Sequence, residues 1–133
     1  MKTCKTNIRV RYQETDRMGV VYYANYLVWF EVARTEYLRE NGLSYRELEE
    51  KEGIGLMVKD VSCEYKAPTF YDDVLTVESQ ITDMKNSSLV FLYEIYRGTK
   101  LIATGKTTHV CTDKTGRPTR LPERIKETLS TVS

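Results

Sequence analysis

The sequence contains one histidine, His109, in 133 residues. Its three cysteines, Cys4, Cys63 and Cys111, include no CxxC pair. With so few soft ligands, a zinc site is not expected. An odd number of scattered thiols fits a reducing compartment, and Cys63 and Cys111 lie in strand-like runs where a free thiol serves as a small buried hydrophobe. No stretch approaches 18 apolar residues, and the start, MKTCKTNIRV, has no apolar signal core. The expectation is a soluble, cytoplasmic protein without a transmembrane segment. Neither charge sign dominates, with 20 Lys and Arg against 19 Asp and Glu, which argues against nucleic acid as a partner. Repeats, low-complexity tracts and linker-like stretches are missing, so the chain reads as a single domain, 1–133.

What the sequence does have is apolar residues enough for a core, 41%, and ten tyrosines. Tyrosine combines apolar area with a polar tip and suits an interface or a ligand channel as well as a core edge. Tyr26, Trp29, Phe30, Ala33 and Tyr37 have the spacing of one helical face. Asn25 is placed to cap that helix, and Asn41-Gly42 to stop it. Ahead of it, Ile8, Val10 and Tyr12 alternate with polar residues as a half-buried strand does. Between strand and helix lies a loop with Asp16 and Gly19. Helix starts leave N–H groups unpaired and carry partial positive charge, so they suit developing negative charge. Asp16 on its spacing alone is either a reacting carboxylate or a turn acceptor. Glu14, close by, is expected to point to solvent at the strand end.

A second short helix is expected over Ser44–Lys51, where Ser44 and Glu47 have capping-box spacing. From Gly53 the period becomes two. Apolar positions are even through Val58 and odd from Val61, which predicts a bulge or bend near Lys59-Asp60 within one long strand. Turn signals at Tyr71-Asp72-Asp73, Asn86-Ser87, Arg97–Lys100 and Asp113–Pro118 divide the remainder into antiparallel strands. The run Leu89–Tyr96, apolar on both parities, reads as a central strand. Pro122, with Leu121, Ile125 and Leu129, starts a last amphipathic helix. The fold class is α+β.

The segment TDRMGVVYYANYLVWFEVAR resembles the loop and central helix of hotdog-fold acyl-CoA thioesterases of the 4-hydroxybenzoyl-CoA thioesterase type. That family's aspartate, its glycine three positions on, the following valine and its Tyr-x-x-Tyr fall here on Asp16, Gly19, Val20 or Val21, Tyr23 and Tyr26. YKAPTFYDDVLTVES and THVCTDKTGRP extend the likeness along most of the chain. The resemblance implies a five-stranded antiparallel sheet wrapped around one long central helix, and homodimers or homotetramers with active sites between subunits. It implies an acyl-CoA substrate and no cofactor, since CoA arrives as part of the substrate.

The chemistry asks for little. A thiolate leaving group, with a thiol pKa of roughly 8.5, needs no strong acid. Attack and oxyanion stabilisation are what must be supplied. The resemblance puts Asp16 in the role of general base or nucleophile, the Tyr23 backbone N–H as oxyanion donor, and Gly19 as the residue letting the loop approach the thioester. Glu31 is a second carboxylate, since some relatives use an acid on the central helix; otherwise it is a solvated or interface residue. Val20, Tyr26 and His109 are candidates for the pocket, His109 toward its nucleotide end. Lys59, Lys85, Lys106 and Arg117 are candidates for the CoA phosphates. Relatives that dehydrate or hydrate pair a histidine with an acid at the helix start, and no histidine precedes His109 here. Two alternatives carry other partners: a thioesterase for acyl carrier protein, and a non-catalytic subunit that binds acyl-CoA.

Overall fold

A computed structural model describes residues 2–130, so the outermost positions of the expected 1–133 domain lie outside it. Five strands form one antiparallel sheet: β1 (Cys4–Arg9), β2 (Gly55–Tyr65), β3 (Val74–Met84), β4 (Ser88–Arg97) and β5 (Lys100–Thr112). Their spatial order is β1-β3-β4-β5-β2. The run read as a central strand, β4, does hold the middle of the sheet. The long helix α1 (Asn25–Glu40) lies along one face. A short helix, α2 (Tyr45–Glu47), continues as a wide turn through Glu52, and α3 (Glu123–Ser130) closes the chain.

α1 buries the predicted stripe, with Leu38 added. Its closest approach to the sheet is at Phe30. That ring stacks on Tyr93 with centroids 4.3 Å apart, and lies so near Gly105 that a Cβ there would sit 2.2 Å from it. Only glycine leaves room for the ring. Trp29, Tyr37, Leu75, Ile81 and Phe91 fill the rest of the layer, each such side chain contributing roughly 1.5–3 kcal/mol by leaving water.

Several local expectations hold for visible reasons. The register of β2 on β5 shifts between Val58 and Asp60, so the parity change keeps Val58, Val61 and Tyr65 on the face that carries α1. The Ser44 hydroxyl accepts from the Glu47 N–H at 3.1 Å and starts α2. Leu121, Ile125 and Leu129 are buried beneath α3.

Two expectations need correction. Asn25 does not cap α1: the cap position is Ala24, with no side-chain bond, and the Asn25 amide donates to the Glu14 carbonyl at 2.9 Å. β1 ends at Arg9, and a 3₁₀ turn over Tyr12–Glu14 follows. That turn breaks the alternation, leaving Tyr12 exposed and rotating Glu14 inward.

Candidate active site

The loop between the 3₁₀ turn and α1 is a small hairpin. Thr15 bridges Val21, and the Asp16 N–H donates to the Val20 carbonyl at 2.9 Å. Its tip closes with the Gly19 N–H on the Asp16 carbonyl at 3.0 Å. Gly19 has φ +83°, in the left-handed region that a three-residue hairpin loop of this kind requires. A Cβ on Gly19 would meet nothing within 4 Å, so its backbone conformation rather than crowding calls for glycine. Asp16 is exposed. Its Oδ1 accepts from the Met18 N–H at 2.8 Å, which fixes the side chain by a local turn.

The hairpin is fastened at both roots. On one side, Val21 N–H donates to the Thr69 carbonyl at 2.9 Å, and the Thr69 hydroxyl meets the buried Tyr26 phenol at 2.7 Å. Thr69 belongs to a loop that Asp73 stiffens, accepting from Phe70 N–H and from Arg97. On the other side stands Glu14, only 4% exposed. Its two carboxylate oxygens accept from the Arg11 N–H at 2.8 Å and the Trp29 Nε1–H at 2.9 Å. Its carbonyl accepts from Tyr22 N–H at 2.8 Å as well as from Asn25. Glu14 therefore does not point to solvent.

α1 begins just beyond this hairpin. Asn25, Tyr26 and Leu27 donate back to Tyr22, Tyr23 and Ala24, whereas no described residue accepts from the Tyr23 N–H. The Tyr23 carbonyl accepts from the Tyr65 phenol at 2.9 Å. Val20, Val21, Tyr23, Tyr26, Tyr65 and Lys66 line an open hollow of about 350 Å³. Asp16 is one hairpin rung from Val20, at the edge of this hollow rather than within it. The site thus offers a turn-fixed, exposed carboxylate at the edge of an aromatic recess and, among the described residues, unpaired N–H groups on Tyr23 and Ala24 at the helix start, Tyr23 lining the recess.

The family model described as the thioesterase-like superfamily matches residues 10–129. The chain belongs to this superfamily. The acyl-CoA thioester hydrolase YbgC of Escherichia coli O6:H1 is 38% identical over 120 residues, covering 89% of each chain. Among solved structures, the DHNA-CoA thioesterase of Staphylococcus aureus is 37% identical with a TM-score of 0.89, covering 96% of this chain and 86% of that one. A hypothetical protein of Thermus thermophilus is 36% identical with a TM-score of 0.91, covering 95% and 96%. The sheet around α1 is the hotdog fold.

For this thioesterase-like chain, the remaining candidate residues fall in scattered places. Glu31 is exposed on α1, six residues past its start and so about 9 Å along the axis. The Tyr45 phenol on α2 feels its charge. His109 is fully buried, its Nε2 at 2.8 Å from the Thr107 hydroxyl and its ring edge-on to Phe91. Burial, and then the Arg34 guanidinium, push its pKa down to about 4. It sits in the core under the second half of α1, out of reach of a nucleotide in this arrangement. Lys59 is at the exposed β2 bulge, and Lys85 pairs with Asp83 at 4.0 Å beyond the end of β3. Lys106 lies with Glu78 and Glu94 in a groove on the face of the sheet turned away from α1. Arg117 belongs to the turn organised by Asp113.

Two cations that sequence reasoning missed do lie beside the hairpin. Lys66 lines the hollow, and Arg17 follows Asp16 directly. Both lie inside the segments that carry the resemblance, which was the signal for them. Among the described residues no helix is long and apolar enough to cross a membrane.

Proposed function

We propose that the protein is an acyl-CoA thioesterase, hydrolysing acyl-CoA to a free acid and CoA, with Asp16 as the catalytic carboxylate. The observation that carries the reading is the pairing of that turn-fixed carboxylate with the unpaired Tyr23 N–H beside the tyrosine-lined recess. The two groups divide the work. Asp16 either draws a proton from the attacking water or attacks the carbonyl itself, and the Tyr23 N–H receives the charge that builds on the thioester oxygen. CoA departs as a thiolate. Neither metal nor redox cofactor enters these steps, and water is the second substrate. The names of the relatives, acyl-CoA thioester hydrolase and DHNA-CoA thioesterase, support the same substrate class. The reading places the protein in the cytoplasm.

The active unit in this reading is a dimer built along β2. That edge strand is eleven residues long. It exposes Val58, Val61 and Tyr65 on the face carrying α1, and α1 exposes Leu27 and Val28. A bare strand edge beside an apolar strip is a surface that proteins normally cover. A second copy would cover it and turn the open recess into a cleft between subunits.

Asp16→Asn should leave the melting temperature unchanged and lower kcat by about 10²–10⁴, read as thiol release from acyl-CoAs of graded chain length. Equal turnover by both proteins would end the assignment of Asp16. Light scattering should give at least a dimer; an active monomer at micromolar concentration would remove the interface from the site.

A further inference from the structure

Outside the residues assigned to the reaction, Glu14 is the most heavily engaged group near the hairpin. The only residue between it and Asp16 is Thr15, and its carbonyl holds Tyr22, the neighbour of Tyr23. Its carboxylate joins the exit of β1, through the Arg11 N–H, to the core of α1, through Trp29. The Arg11 guanidinium stands 3.6 Å away, on the exposed side. Two elements therefore converge on one buried side chain, while the main chain of the same residue holds Tyr22. A buried carboxylate is tolerated only when donors surround it. Here the donors come from two separate elements, and those elements carry the base and the oxyanion donor.

We infer that Glu14 is a positioning residue, its carboxylate setting the spacing between the Asp16 hairpin and the Tyr23 N–H through its bonds to Arg11 and Trp29, alongside the main-chain bond to Tyr22. This rests on the assignment of Asp16 and Tyr23 made above. A carboxylate is needed because both side-chain partners are donors. Glutamine has the same shape but presents one oxygen and one NH₂, so one donor must face another donor. The hairpin root would shift to relieve that contact. The pocket would still bind substrate, but the two reacting groups would be misplaced at the transition state. Loss confined to kcat is the mark of an interaction realised only there.

The test is steady-state kinetics of Glu14→Gln at a temperature where circular dichroism shows a fully folded protein. The expected result is a fall in kcat of about ten- to a hundredfold, the scale of a displacement of an ångström or less, with KM within about twofold. Trp29→Phe added to this background removes one of the competing donors and should recover most of the loss. A folded Glu14→Gln with the wild-type kcat, or with its whole loss in KM, overturns the inference. If Glu14→Gln does not fold, Trp29→Phe alone decides. It removes one bond and should lower kcat severalfold at constant KM, and an unchanged kcat overturns the inference. Asp16→Asn measured alongside separates the two claims. A silent Asp16→Asn beside a normal Glu14→Gln sinks the role of Glu14 alone, whereas an active Asp16→Asn sinks the reading it rests on.

Discussion

The two ends of α1 are finished differently. At the far end, every device for closing a helix is in use. Gly42 is left-handed with φ +78°, and the Leu43 and Asn41 N–H groups return to the Leu38 carbonyl. The Asn41 amide adds a bond to the Tyr37 carbonyl at 2.7 Å. The near end has no side-chain cap, an unpaired Tyr23 N–H, and Tyr22 and Tyr23 held in the open, Tyr23 at 61% exposure. The same contrast appears in the titratable groups. The one histidine is sealed beneath the second half of α1, while Asp16 faces water at the first. A helix end left unfinished gives up stability, worth about 1 kcal/mol for a missing cap. It keeps a donor available for a ligand.

That contrast can be broken at either end. The largest effect is expected at the open one. Tyr23→Pro deletes an N–H that no described residue accepts from, so the melting temperature should move little while kcat falls about 10²–10³. Tyr23→Ala, which keeps the N–H, should fall far less. Equal losses in the two variants would mean that the phenol matters and the backbone donor does not.

A smaller effect is expected at the closed end. The folded His109 imidazole titrates at about 4, below the roughly 6.5 of an unfolded chain. The neutral ring therefore favours the fold. Its contribution is complete above about pH 6.5, is lost as pH falls from there toward 4, and changes no further below that. His109→Gln should flatten this part of the melting-temperature profile relative to wild type. Parallel profiles would show that the imidazole is not sealed as described.

Much of this was legible in the sequence where one short period governs. The stripe from Tyr26 to Tyr37 declares a buried helical face. The parity change around Lys59 declares a bulge or bend, and the register shift between Val58 and Asp60 makes it a bulge. Asp16 and Gly19 were legible as a motif. Glu14 was not, since three residues of 3₁₀ turn rotate it away from the strand alternation that precedes it, and no local pattern encodes that rotation. The same turn exposes Tyr12. The placing of the cations was illegible for a different reason. Lys85 and Lys106 were chosen by hairpin and strand position, but which end of the sheet a lysine reaches depends on strand order. Lys66 and Arg17, inside the matched segments, are the cations that lie at the hairpin and its hollow.

Gly105 has a further consequence. The bare backbone there acts as a notch into which the Phe30 ring drops, so α1 cannot slide along its own axis without lifting that ring out. The notch seats α1 against β5 at one point along the helix. A single missing side chain on β5 thus serves as the seat that holds the helix in register with the sheet.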